Sequence, residues 1–109
     1  MEEKITENEI VRESYNFILD SSITDDEWKA FIKLKNSLGV GTEFSSALLD
    51  LSDDLRQIAV KNISKHVGLT PNVSEFYQKI VNYGQIKLNW ARSLASYGML
   101  FLSKEKTIN

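Results

Sequence analysis

The feature that most restricts this chain is a helix-start signal that occurs twice near its beginning. In Ile5-Thr6-Glu7-Asn8-Glu9-Ile10 a threonine is followed three residues later by glutamate, with isoleucine on either side. The same order returns at Ile23-Thr24-Asp25-Asp26-Glu27-Trp28. Threonine and glutamate at this spacing form a reciprocal capping box, and the flanking apolar pair forms a hydrophobic staple. Each start is followed by helical periodicity. Ile10, Val11, Ser14, Phe17 and Ile18 predict a helix over 7–20, and Trp28, Phe31, Ile32, Leu34 and Leu38 predict one over 24–38 that Gly39 stops. Trp28 is expected in the core.

The next stretch is less decided. Ser46 to Leu51 is short and apolar enough for a strand or a helical turn. Ser52-Asp53-Asp54 has the composition of a helix N-terminus, and Leu55, Ile58, Ala59, Ile63 and Val67 continue a stripe from it to Gly68. A short strand at Ile58-Ala59-Val60, with the helix starting near Lys61, is an alternative. Thr70-Pro71 then opens another helix, since proline suits the first helical position. Val73, Phe76, Tyr77, Ile80 and Val81 form its apolar face, and Gly84 is the expected end. Beyond it, 85–89 alternates like a strand, 90–96 reads as a loop and 97–102 as a returning strand, with a polar tail after.

Composition narrows the function classes. The 109 residues fit one domain, 1–109, with a single core. No apolar run reaches the roughly 18 residues of a membrane span, and the acidic start is unlike a signal peptide; a cytoplasmic protein without membrane contact is expected. There is no cysteine, which excludes disulfides and thiol chemistry, and His66 is the only histidine. His66 fits a helix C-terminus better than a metal site, and Asp25-Asp26-Glu27 and Asp53-Asp54 fit helix starts better than a cation site. No nucleophile, base and carboxylate set is present. The expectation is a protein that is not an enzyme and needs no cofactor or metal.

The net charge of −2 conceals a division. Residues 1–55 carry 5 basic and 13 acidic side chains, whereas 56–109 carry 8 basic and 2 acidic ones. Such asymmetry prompts a search for a polyanion partner of the basic half.

The order helix, tight turn, helix, strand, loop, strand from Ile63 to Leu102 resembles the winged helix-turn-helix DNA-binding family. The residues carrying the resemblance are Ile63 to Thr70 as first helix and turn, then Val73, Ile80, Gly84 and Ile86 at the family's spacing. More loosely, the chain is similar to small plasmid and phage replication or conjugative-transfer accessory proteins. The resemblance implies an α+β, mainly helical winged helix-turn-helix. It would have an extra N-terminal helix (7–20), a backing helix (24–38), the helix-turn-helix (52–84) and a C-terminal two-stranded wing (85–103). It implies binding of a specific site on double-stranded DNA of a mobile element, in replication, conjugation or transcription regulation. The DNA-contacting residues would be Lys61, Lys65, Thr70, Asn72, Ser74, Glu75, Gln78 and Lys79 around the recognition helix, and Lys87 and Arg92 in the wing.

The first helix, with Val11, Tyr15 and Ile18 widening its apolar stripe, suggests a homodimer. The alternative reading is a protein-interaction module or a small helical immunity-type protein that meets a protein partner through its acidic N-terminal half.

Overall fold

The computed structural model describes residues 5–88. Four α-helices follow one another: α1 (Glu7–Ile18), α2 (Asp25–Gly39), α3 (Phe44–Ile63) and α4 (Pro71–Lys87). There is no strand among the described residues.

Both capping boxes form. Thr6 Oγ1 accepts from the Glu9 amide at 3.1 Å, and Thr24 Oγ1 from the Glu27 amide at 3.2 Å; each glutamate reaches back to its threonine amide. Gly39 is the last residue of α2 and not the stop outside it. The Gly41 amide donates to Leu38 O at 3.1 Å and the Thr42 amide to Ser37 O at 2.9 Å, with Gly41 at φ 92°. This is a Schellman ending whose left-handed residue is Gly41.

The same bond pattern closes α3 on a residue poorly suited to it. The His66 amide donates to Ile63 O at 2.9 Å and the Val67 amide to Asn62 O at 3.2 Å, with His66 at φ 61°. Left-handed backbone costs a side-chain-bearing residue about 1 kcal/mol. His66→Gly is therefore expected to raise stability by about 1 kcal/mol, minus the entropy a glycine adds to the unfolded chain. Urea denaturation at constant m-value checks this.

The helices run up, down, up, down. Ion pairs join Asp26 to Lys61 (3.0 Å) and Lys33 to Asp54 (3.2 Å), so two turns along α2 correspond to two turns back along α3. Trp28 at the start of α2 meets Ile18 at the end of α1, and Phe44 at the start of α3 meets Tyr83 late in α4. One end of the bundle thus gathers the C-termini of α1 and α3 and the N-termini of α2 and α4. The core is apolar from all four helices: Ile10, Ala30, Phe31, Leu34, Ala47, Leu48, Leu51, Leu55, Val73, Phe76 and Ile80. Phe17 stacks on Phe31 (centroids 4.9 Å apart), and Phe76 lies tilted against both, at 5.4 and 5.8 Å.

The α+β winged helix-turn-helix is not what these residues form. Ser46–Leu51 and Ile58–Val60 both lie inside α3. Ala47, Leu48, Leu51 and Leu55 make one helical stripe that passes straight through Ser52, which is 8% exposed in mid-helix and caps nothing. Gly84 does not end α4 but is buried within it, and Gln85 to Lys87 complete its last turn, with Ile86 facing outward. The proposed first wing strand is thereby occupied by helix; the rest of the wing, 89–103, lies outside the described residues.

Candidate functional site

One buried carboxylate links the starts of α2 and α4 at one end of the bundle. Glu27, fully buried, is the third residue of α2 and part of its capping box. Its Oε1 accepts from the Thr24 amide (2.9 Å) and from Thr70 Oγ1 (2.7 Å), and its Oε2 accepts from the Thr70 amide (2.8 Å). One side chain therefore closes the N-terminus of its own helix and fixes the residue preceding α4. The two helix N-termini meet at a carboxylate, the charge sign that helix dipoles favour there.

Several apolar side chains are exposed at this end of the bundle. Leu19 is 84% exposed, Ile63 64% and Val67 54%, and Trp28 presents 39% of its surface. Trp28 is thus not a core residue: its indole N–H donates to Ile18 O at 3.0 Å, which ties the ring to the α1–α2 corner. Ile18, Leu19, Ile23 and Trp28 line a groove there of about 350 Å³ whose polar edge includes Asp20 and Asp25. Asp20 accepts from the Ser22 amide (2.8 Å) and hydroxyl (2.7 Å), and these bonds hold its carboxyl below the ordinary carboxylate range. A second groove, between α2 and α3, is lined by Asp26, Lys29, Lys33, Asp54 and Lys61 over Ala30 and Ile58. Asp26 pairs with Lys61 and Lys33 with Asp54 across the helices, while Lys29 pairs with Asp25 within α2. The Lys61 ammonium holds the Asp26 carboxyl below its ordinary value by hydrogen bonding and charge.

Of the residues expected to read DNA, Lys61, Thr70 and Lys79 are engaged by side chains of the protein itself. Lys61 is engaged with Asp26, and Thr70 turns its hydroxyl and amide toward Glu27. Lys79 bonds both oxygens of Glu13 on α1, at 2.9 and 3.2 Å. Asn72, Ser74, Glu75 and Gln78 lie exposed on α4, and Lys65 is exposed after α3. Lys87 stands at the far end of α4, roughly 24 Å from its start at 1.5 Å per residue. Arg92 lies outside the described residues. The acidic and basic halves of the sequence are thus partly matched to each other across helix–helix seams.

Lys79→Ala accordingly removes a half-buried inter-helix pair, and is expected to lower stability by about 1 kcal/mol, less at high salt. Denaturation at two ionic strengths reads this. Sequence reasoning missed Glu27 as a junction because its capping role was visible and its partner, 43 residues away, was not. Leu19 was not singled out, since the predicted helix over 7–20 included it.

Among the described residues no three histidine, aspartate or glutamate side chains come together as a metal site, and no helix is long and apolar enough to cross a membrane.

The model of the bacteriocin immunity protein family matches residues 5–85. No curated protein and no solved structure matches the chain. The match overturns the winged helix-turn-helix resemblance and what followed from it: double-stranded DNA as partner, and roles in replication, conjugation or transcription regulation. The spacing Val73, Ile80, Gly84, Ile86 that carried the resemblance is that of an amphipathic helix, three of whose residues are buried here and the fourth exposed.

Proposed function

The chain belongs to the bacteriocin immunity protein family, and on that premise we propose that it protects the cell that makes it from a bacteriocin. The alternative drawn from the sequence, a small helical immunity-type protein, is the one that this membership favours. The observation that carries the reading is the extent of the match, which begins just before the cap of α1 and ends inside the last helix. Bacteriocin immunity proteins act on bacteriocins or on membrane receptors. The proposed mode of action is therefore binding by occupancy, without catalysis, from the cytoplasm. The bundle suits occupancy: its core is closed by side-chain packing, and its distinctive surfaces are an apolar end and ion-paired seams.

The test is expression in a bacteriocin-sensitive bacterium, with growth measured against a panel of purified bacteriocins. The inhibitory concentration of at least one is expected to rise roughly tenfold or more, about 1.4 kcal/mol of effective affinity. An unchanged response to every member, in cells shown to accumulate the folded protein, overturns the proposal. Fractionation of the same cells tests the cytoplasmic placement.

A further inference from the structure

We propose that the α1–α2 corner is a docking site for a basic segment of a partner polypeptide that carries a bulky apolar side chain. The inference deepens the immunity reading and rests on it for biological meaning, while the binding itself stands on the geometry of the corner.

The corner has the composition of a binding anchor. Leu19 stands almost free of the body of the protein, beside Ile23 and the face of Trp28. Aromatic side chains held in one orientation lose little entropy on binding and dominate interface energies. The Trp28 ring is held in this way by the bond from its N–H to Ile18 O, so the polar atom of the indole is already satisfied and its carbon surface is what a partner meets. Exposed apolar surface rimmed by polar groups marks interaction sites more often than chance.

Charge selects the occupant. From Glu13 to Trp28 the sequence contains five acidic residues and no lysine or arginine. Two of the five, Asp20 and Asp25, edge the groove, and among the described residues no basic side chain lines it. Asp20 accepts from the Ser22 amide and hydroxyl. Asp25 is joined to Lys29 one turn on, at 3.3 Å, with both side chains largely in water. Exposed pairs of this kind contribute little and exchange partners readily. Asp26 and Glu27 are used internally by Lys61 and Thr70, and Glu13 by Lys79. What remains for a visitor is an apolar seat with two carboxylates on its edge. An aliphatic or aromatic side chain flanked by lysine or arginine complements it, and an anionic lipid surface is repelled by it.

The probe is a synthetic peptide of about twelve residues alternating leucine and lysine around a central phenylalanine, with a glutamate-for-lysine counterpart. Titration into the full chain is followed by amide chemical shifts. The basic peptide is expected to shift amides between Ile18 and Trp28, to bind more weakly as salt rises from about 20 to about 150 mM, and to exceed the acidic one in affinity. Asp20→Asn combined with Asp25→Asn keeps the acceptor for Ser22 and removes both charges. It is expected to weaken binding roughly tenfold, as is Leu19→Asp, with unchanged melting. Equal binding by these variants, equal binding of the acidic peptide, shifts centred elsewhere, or a dimer of the chain that buries the corner would each overturn the inference. A cellular arm separates the two readings. Wild type that protects together with Leu19→Asp that protects equally leaves immunity standing and removes the corner. Wild type that gives no protection while the basic peptide still binds at the corner removes immunity and keeps the site.

Discussion

Phe31→Ala is expected to cost about 4 kcal/mol and to lower the melting temperature by roughly 20 °C, the largest single effect in the molecule. Phe31 has no exposed surface and is flanked by Phe17 and Phe76, so its ring joins α1, α2 and α4 at one point. Truncation removes the transfer free energy of the ring and leaves a cavity that three helices cannot collapse together. It also removes two aromatic contacts, each worth about 1 kcal/mol beyond area. A domain this size has only about 5–15 kcal/mol in total, so the variant approaches the limit of folding at physiological temperature. Phe31→Leu, which keeps most of the volume, is expected to lose about 1.5 kcal/mol. Equal losses for the two variants, read by urea denaturation, would show that volume at this site is not what matters.

Glu27→Ala is expected to cost about 3 kcal/mol, although it removes a charged residue from the interior and leaves only a small void. Three donors lose their acceptor: the Thr24 amide, the Thr70 amide and the Thr70 hydroxyl. Hydrogen bonds to a charged acceptor are worth about 1.5–3 kcal/mol each, and donors left behind bear a desolvation penalty wherever water cannot replace it. Thr70 is half-buried, so only part of that penalty is recovered. Glu27→Gln keeps one acceptor oxygen and is expected to lose about half as much. A double-mutant cycle with Thr70→Val isolates the cross-helix part. A coupling below about 0.5 kcal/mol would mean that the junction is geometric only.

Local rules in the sequence placed three helix starts correctly, although they set the stop of α2 at Gly39 where Gly41 takes the left-handed position. Both capping boxes were legible to the residue, and so was the Thr70-Pro71 start of α4. Rules that need a distant partner failed. Ser52-Asp53-Asp54 has the chemistry of a helix start, yet Leu51 and Leu55 on either side pack into the same core, and burial overrides a local cap preference. Gly84 was read as a stop because glycine weakens a helix by about 1 kcal/mol, an amount that packing of the neighbouring turns exceeds. The charge asymmetry was real in sequence and misleading in space. Lys61 and Lys79, two of the basic side chains expected at DNA, find Asp26 and Glu13 from the acidic half. Of the candidate docking corner, Asp25 was assigned to a helix start alone, and Asp20 was not singled out. The exposure of Leu19 depends on where α1 ends, which the predicted span of 7–20 put two residues beyond the observed end at Ile18.

The span of the Glu27–Thr70 contact also has a kinetic meaning. The α1–α2 hairpin closes through Trp28 and Ile18, ten residues apart, and loops that short form in well under a microsecond. Glu27 and Thr70 are separated by 43 residues, and their bonds require α3 to have traversed the bundle and turned at His66. Closing that larger loop comes before its reward, so the junction belongs to the last stage of assembly. Changes there will act chiefly on how fast the protein comes apart, whereas changes at the α1–α2 turn will act on how fast it forms.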